Sequence, residues 1–111
     1  MSLTQEHCQV LDNGGPALDQ KTINELLPLI PDWQLSKDLL TIHKIFTFVD
    51  YYHTISFVNA VAWIAQQENH HPDLAVSYKQ CTVTYSTHSI NGLSRNDFIC
   101  AAKIDTLFAK S

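Results

Sequence analysis

The segment Asn69-His70-His71-Pro72-Asp73 separates the longest helical pattern of this sequence from two short alternating segments. Pro72 disfavours helical backbone at the residue before it, so the helix is predicted to end here. The second alternating segment ends in Ser86-Thr87-His88. Three histidines therefore stand at the ends of regular elements, where a scaffold can direct them towards one point. One such histidine would be interpreted as a loop residue. A cluster of three is a candidate acid/base site, because histidine changes charge near neutral pH.

The helical pattern before this segment covers about residues 51–68, and Asp50 is its predicted N-cap. Its apolar stripe is broad enough for a helix that lies on a sheet. We expect the stripe to contain Tyr51, Ile55, Val58, Ala62 and Ala65, widened by Phe57, Val61 and Ile64. The opposite face carries Tyr52 and Trp63, where charged residues are expected. These two rings either meet another subunit or extend the core contact, and the sequence favours neither alternative.

The segments from Leu74 to Lys79 and from Cys81 to Ser86 are predicted strands, since both alternate and are rich in β-branched and aromatic residues. Cys81 falls on the apolar face and is expected in the core. Ser94-Arg95-Asn96-Asp97 has the pattern of a capping box and predicts a final helix to about Lys110. The inner stripe of this helix is expected to contain Asp97, Ala101, Ile104 and Phe108.

The first half of the chain predicts a helix and two strands. Asp19 is the expected N-cap of a helix that ends near Leu27, because Pro28 is unfavourable beyond the first turn. A short strand over Trp33–Ser36 and a longer one over Leu39–Phe48 follow, joined by a turn. Residues 1–17 are predicted to be a flexible N-terminal arm, with a turn at Asn13-Gly14-Gly15-Pro16. Residues 18–111 are predicted to form a single domain.

The element order is therefore α-β-β-α-β-β-α. Two hairpins separated by a helix favour the α+β class, with a single four-stranded antiparallel sheet and three helices on one face. The other face of the sheet would be open to solvent or to a partner.

The composition restricts the classes of function. The chain has 111 residues, of which 45% are apolar and 16% charged, which is typical of a compact domain and compatible with an oligomer. A net charge of -4 without a basic cluster argues against nucleic acid as a partner. The three cysteines form no CxxC motif, which favours free thiols in a reducing cytoplasm. No signal sequence is recognisable, and the richest apolar run is too short to span a membrane. The sequence thus predicts a soluble cytoplasmic protein.

Proton transfer at a small polar substrate is the chemistry that the three histidines support best. A metal site is disfavoured, because the HxxxH pair of a helical metal site is absent and adjacent histidines reach one ion poorly. Ser86 and Ser89 lie near His88, but the sequence shows neither a nucleophile elbow nor a glycine-rich oxyanion loop.

The combined motifs resemble the pterin-4a-carbinolamine dehydratase family. The resemblance is carried by Glu68-Asn69-His70-His71-Pro72-Asp73, Tyr78, Ser86-Thr87-His88, Gly92-Leu93-Ser94 and Asp97, and it extends back to Phe57, Asp50-Tyr51, Phe48, Phe46 and Trp33. It covers nearly everything from residue 18 onward. The resemblance implies the same α+β fold, a homodimer or homotetramer, and no metal or organic cofactor. It also implies dehydration of 4a-hydroxytetrahydropterin to quinonoid dihydropterin, which recycles the cofactor of aromatic amino acid hydroxylases.

The resemblance also implies which residues form the site. The catalytic residues would be His70, His71 and His88, and the substrate-binding residues would be Asn69, His70, His71, Ser86, Thr87, His88, Ser89 and Asp97. Our hypothesis is that His70 and His88 transfer the protons and that His71 orients the pterin. Asp97 is equally well interpreted as a helix cap. The chain departs from many relatives at Gln66, Asn69 and Ser89, where acidic residues are common.

A binding protein is the main alternative function. Some animal relatives also act as dimerisation cofactors of a transcription factor through an exposed helix face, and Tyr52 and Trp63 would mark such a face here. The intact set of three histidines favours the enzyme, because a pure assembly protein would not need it. A metal-dependent hydrolase is a third interpretation, which requires bound zinc.

Overall fold

The predicted element order is confirmed. The structure is a computed structural model that describes residues 2–11 and 16–109. The helices are α1 (Gln20–Leu26), α2 (Tyr51–Glu68) and α3 (Arg95–Ala109), and the strands are β1 (Gln34–Leu35), β2 (Ile42–Thr47), β3 (Asp73–Val76) and β4 (Gln80–Tyr85). Short 3-10 helices lie at Leu3–Gln5, Leu27–Leu29 and His88–Ile90.

The four strands form one antiparallel sheet in the order β1-β2-β4-β3. In its centre Ile42 pairs with Tyr85 and Phe46 pairs with Cys81. These residues are buried on the face that the helices cover, whereas Ile45 between them is 54% exposed on the other face. The alternation of the sequence thus gives a sheet with one covered face, as predicted.

An aromatic cluster forms the contact between this sheet and the helices. The ring of Phe46 lies 4.6 Å from that of Phe57 on α2, 5.2 Å from that of Phe108 on α3, and 6.2 Å from that of Trp33. Cys81 is fully buried nearby, as expected. The core therefore joins β2 and β4 to α2 and α3.

The predicted helix caps are confirmed. Asp19 accepts a hydrogen bond from the backbone N–H of Thr22 at 2.9 Å, and Asp50 accepts one from that of His53 at 2.7 Å. α1 ends at Leu26, where a 3-10 turn that contains Pro28 replaces the α-helix. Each side-chain oxygen satisfies an N–H group that has no partner within its helix.

Three predicted strands are shorter in the structure. The strand expected over Trp33–Ser36 is β1, Gln34–Leu35. The strand expected from Leu39 begins at Ile42, because Leu39 has a φ of 65° and closes a turn onto Ser36. The strand expected to run from Leu74 to Lys79 is β3, Asp73–Val76, and it ends where the N–H of Ser77 bonds the carbonyl of Gln80. Turn hydrogen bonds therefore set the start of β2 and the end of β3.

The predicted apolar stripe of α2 was partly wrong. The buried residues are Thr54, Phe57, Val61 and Ala65, whereas Tyr51 and Ala62 are exposed. Thr54 can be buried because its hydroxyl donates a shared hydrogen bond to two carbonyl oxygens. These belong to Asp50, at 2.8 Å, and Tyr78, at 3.1 Å. A polar residue is thus part of the buried stripe, near the start of the helix.

Tyr52 and Trp63 are 77% and 66% exposed, so neither extends the core. Within the described residues, no helix is long and apolar enough to cross a membrane.

Several of the N-terminal residues 2–11, which belong to the predicted flexible arm, contact the rest of the domain. Leu3 is buried in the core cluster, and the carboxylate of Glu6 receives two hydrogen bonds of 2.7 Å from the guanidinium of Arg95. The predicted turn at residues 13–16 lies largely outside the described residues.

Replacing Phe46 with Ala should lower the free energy of unfolding by about 3–5 kcal/mol, because it removes the ring that contacts both long helices. Ile45→Ala is the matched control on the same strand, and its exposed side chain should contribute less than about 1 kcal/mol. Urea denaturation measures both. Equal losses for the two variants would contradict the assignment of sheet faces.

Candidate active site

The backbone at the end of α2 directs His70 towards the start of α3. Asn69 ends the helix in the left-handed conformation, with φ 51° and ψ 42°. Asparagine adopts this conformation more readily than most residues. The N–H of His70 then bonds the carbonyl of Ala65 at 3.1 Å. The reversal takes the chain out of the helix within one residue.

The imidazole of His70 is held on two sides. Its Nε2 donates to Oδ1 of Asp97 at 2.6 Å, and its ring stacks on that of Tyr85 with a centroid distance of 5.2 Å. The hydroxyl of Tyr85 also donates to the carbonyl of His70 at 3.2 Å. Only 13% of the His70 side chain is exposed. The ring orientation is therefore fixed, and Nδ1 is the nitrogen left for a ligand.

Asp97 is fully buried and accepts three hydrogen bonds. Besides the bond from His70, its Oδ2 accepts one from the hydroxyl of Thr87 at 2.8 Å and one from the N–H of Ser94 at 2.9 Å. The bond from Ser94 is one half of the predicted capping box. The Ser94 hydroxyl instead donates to Thr87 at 2.7 Å, because Thr87 has given its single proton to Asp97.

Asp97 was predicted among the substrate-binding residues, and in the structure its side chain has no exposed surface. Both of its oxygens are already bonded, and the residue lies behind His70. The arrangement of a buried carboxylate behind an imidazole resembles the pair that orients the general base of serine proteases. Asp97 therefore positions His70.

The environment shifts the pKa of His70. Burial lowers the pKa of the imidazole, but the hydrogen bond and the negative charge of Asp97 outweigh it and raise the pKa above the ordinary value of 6.5. Because the pKa rises on folding, the pair contributes its full stabilisation below the unfolded pKa. That contribution is lost as the pH rises through the raised pKa.

A cavity of about 410 Å³ opens in front of His70. Its volume lies within the range of small-molecule sites. Of the predicted site residues, it brings together Asn69, His70, Thr87 and Ser89. The full lining is Cys8, Gln9, Val10, Leu11, Gln67, Glu68, Asn69, His70, Thr87, Ser89 and Asn96.

The other predicted residues lie outside this cavity. His88 and Ser86 line a neighbouring hollow of about 210 Å³, and Thr87 lines both spaces. His71 is exposed and lines neither. Among the described residues, no three side chains of His, Cys, Asp or Glu are arranged to hold a metal ion.

Part of the lining was not predicted from the sequence, namely residues 8–11, Gln67, Glu68 and Asn96. Glu68 is nearly buried and accepts hydrogen bonds of 2.7 Å from the ammonium of Lys103 and from the N–H of Cys8. Burial raises the pKa of Glu68, but these hydrogen bonds outweigh it and lower the pKa to about 2. The sequence signal for Glu68 was its place at the end of an apolar helix, two residues before His70.

Comparison with known proteins gives a family match. The family model described as pterin 4 alpha carbinolamine dehydratase matches residues 16–107. A relative from Xanthomonas campestris pv. campestris is 50% identical over 106 residues, which are 96% of this chain and 90% of the relative. One from Legionella pneumophila is 50% identical over 106 residues, or 95% and 94% of the two chains. Both names assign those proteins provisionally to pterin-4-alpha-carbinolamine dehydratase.

Two solved structures are similar. A transcriptional coactivator/pterin dehydratase from Brucella melitensis has a TM-score of 0.79 and 29% identity, and the match covers 83% of this chain and 98% of that one. A pterin dehydratase-like protein identified as a RuBisCO assembly factor in the alpha-carboxysome has a TM-score of 0.62 and 21% identity, with 72% and 93% covered. At that identity, the second match shows the fold alone.

Replacing Asp97 with Asn should lower the pKa of His70, because the neighbouring charge is lost and the burial remains. NMR titration of the histidine ring protons measures this shift. Asp105→Asn is the matched control, since Asp105 lies on the same helix but bonds Lys44 and Trp33. An unchanged pKa of His70 in a folded Asp97→Asn variant would contradict the pairing.

Proposed function

The chain belongs to the pterin 4-alpha-carbinolamine dehydratase family, and we propose that it converts 4a-hydroxytetrahydropterin into quinonoid dihydropterin and water. The observation that supports this activity best is the His70–Asp97 pair at the wall of a cavity of about 410 Å³. We further propose that the product returns to an aromatic amino acid hydroxylase in the cytoplasm.

The reaction consists of proton transfers and the cleavage of one bond. The C4a–O bond breaks when a proton reaches the leaving hydroxyl, and water departs with the bonding electrons. The N5–H proton is then removed, and its electron pair forms the C4a=N5 double bond. No electron acceptor is consumed, so an acid and a base suffice.

His70 is the residue best suited to one of these transfers. Asp97 fixes Nε2, so Nδ1 is the nitrogen that would exchange a proton with the pterin. A pKa above 6.5 increases the protonated fraction near neutral pH, which favours a first role as the acid that protonates the leaving hydroxyl. The neutral imidazole that results can accept a proton in turn.

We assign the second proton transfer to His88 and the orientation of the pterin to His71. The support for His88 is its hollow, which shares Thr87 with the cavity in front of His70. For binding of the pterin edge, Asn69 and Ser89 are exposed in the cavity. The hydroxyl of Thr87 already bonds Asp97 and Ser94, so its contribution to the site is to hold them.

His70→Ala should lower kcat by about 10²–10⁴-fold, because it removes the group that transfers the proton. His88→Ala should also lower kcat, because it removes the group that transfers the second proton. The measurement is the absorbance change when freshly generated 4a-hydroxytetrahydropterin loses water.

His53→Ala is the matched control for both substitutions. His53 is an exposed histidine that bonds Asp50 at the other end of α2, so the rate should stay within about twofold. A folded wild-type protein that does not exceed the spontaneous rate would overturn the proposed activity. Full activity in His88→Ala alone would remove His88 from the mechanism.

An assembly function, in which a protein partner binds an exposed face of α2, is the second candidate, and the exposed rings of Tyr52 and Trp63 favour it. Large aromatic groups are enriched where proteins associate. We propose that this face of α2 forms the contact of a homodimer or homotetramer. A catalytic protein can use the same face, so the two functions are compatible.

Trp63→Ser should reduce the molar mass in solution, because it removes the largest exposed ring of this face. Sedimentation equilibrium measures the mass. Tyr78→Ser is the control, since Tyr78 is exposed to a similar extent but lies in the turn between β3 and β4. An oligomer that persists in Trp63→Ser would place the contact elsewhere.

A further inference from the structure

Residues 8–11, which we term the N-terminal strap, form one side of the cavity in front of His70. The strap belongs to the segment expected to be a flexible arm. Its four residues share the cavity with His70, Asn69 and Ser89, so a ligand beside the imidazole also faces the strap.

Contacts with three residues, Glu68, Asn96 and Cys100, fix the strap to the domain. The N–H of Cys8 donates to Oε1 of Glu68 at 2.7 Å. The side-chain amide of Asn96 bonds the backbone of Gln9 twice, accepting at 3.0 Å and donating at 2.8 Å. The sulfur atoms of Cys8 and Cys100 lie 3.5 Å apart.

The positions of these anchors connect the strap to the reacting groups. Glu68 precedes His70 by two residues, and Asn96 directly precedes Asp97. The strap is therefore held by the same two helix ends that hold the imidazole and its carboxylate. Because these helix ends anchor the strap, they set its distance from His70.

Val10 is the residue of the strap whose surroundings indicate a ligand. It is an apolar side chain, 93% exposed, in the wall of a cavity whose other residues are mostly polar. Nearly all of its apolar surface is available for burial against a second apolar surface. The face of a planar heterocycle provides such a surface, whereas the hydrogen-bonding edge of the ring suits Asn69 and Ser89.

We propose that the strap is part of the substrate site and that Val10 packs against the face of the bound pterin ring, which makes it a determinant of KM. This inference rests on the proposed function for the identity of the ligand. Because Val10 has no group that transfers a proton, it contributes to binding and leaves the chemical step to His70.

The test compares Val10→Ser with Val49→Ser. Val49 is 75% exposed and lines neither of the two cavities at the site, so it is matched in residue type and exposure. KM and kcat are measured for dehydration, and Kd is measured by calorimetry for 7,8-dihydrobiopterin, which has no hydroxyl to lose. Val10→Ser should raise KM and Kd by up to about tenfold, the effect of losing one buried valine, and change kcat less than about twofold.

Val49→Ser should change none of these constants. Val10→Ile, which keeps an apolar side chain, should have the KM and Kd of the wild type. Wild-type KM and Kd in Val10→Ser, with normal dehydration by the wild type, would overturn the strap proposal and leave the proposed function intact. Binding of 7,8-dihydrobiopterin that weakens in Val10→Ser, without any dehydration by the wild type, would support the strap and overturn the activity. A wild type that neither binds this pterin nor accelerates dehydration would overturn both.

Discussion

The buried carboxylate of Asp97 imposes the strictest constraint on this structure. A carboxylate that has lost its hydration is tolerated only where donors replace the lost water. Asp97 obtains them from His70 just after α2, from Thr87 after β4, and from the N–H of Ser94 immediately before α3. Loss of any one donor would leave the oxygen without a bond that is worth about 1–3 kcal/mol. The need to satisfy one charge therefore joins the three elements that form the site.

A second layer of contacts extends this junction to the N-terminus. Glu68 and Asn96 stand next to the residues of the His70–Asp97 pair and bind the backbone of residues 8 and 9. Lys103 compensates the charge of Glu68 at 2.7 Å. All of these hydrogen bonds are partly buried and those of Glu68 involve a charged group, so they are stronger than exposed ones. A segment without regular structure is thereby ordered on the surface of the two long helices.

The sequence predicted those features that local rules control. The N-caps Asp19 and Asp50, the alternation of β2 and β4, and the break at Pro72 each depend on residues within a few positions. The burial of Thr54 was not predictable, because it requires the carbonyl of Tyr78, which is distant in sequence. The N-terminal contacts were missed for the same reason, since Cys8 and Glu68 are 60 residues apart. The family resemblance identified the candidate histidines, but only the structure distinguishes their surroundings.

The three histidines have the same side chain but differ in their surroundings. His70 is mostly buried, stacked on Tyr85 and bonded to a carboxylate that has no access to solvent. In the described part of the chain, neither His71 nor His88 is paired with a carboxylate, and both are exposed. A proton held in a fixed direction next to a cavity can be transferred without reorganising water, whereas an exposed imidazole first has to be oriented by its ligand. The division of roles in the proposed mechanism follows from this difference: His70 is preorganised for the first transfer, and His88 would become oriented only when the pterin is bound.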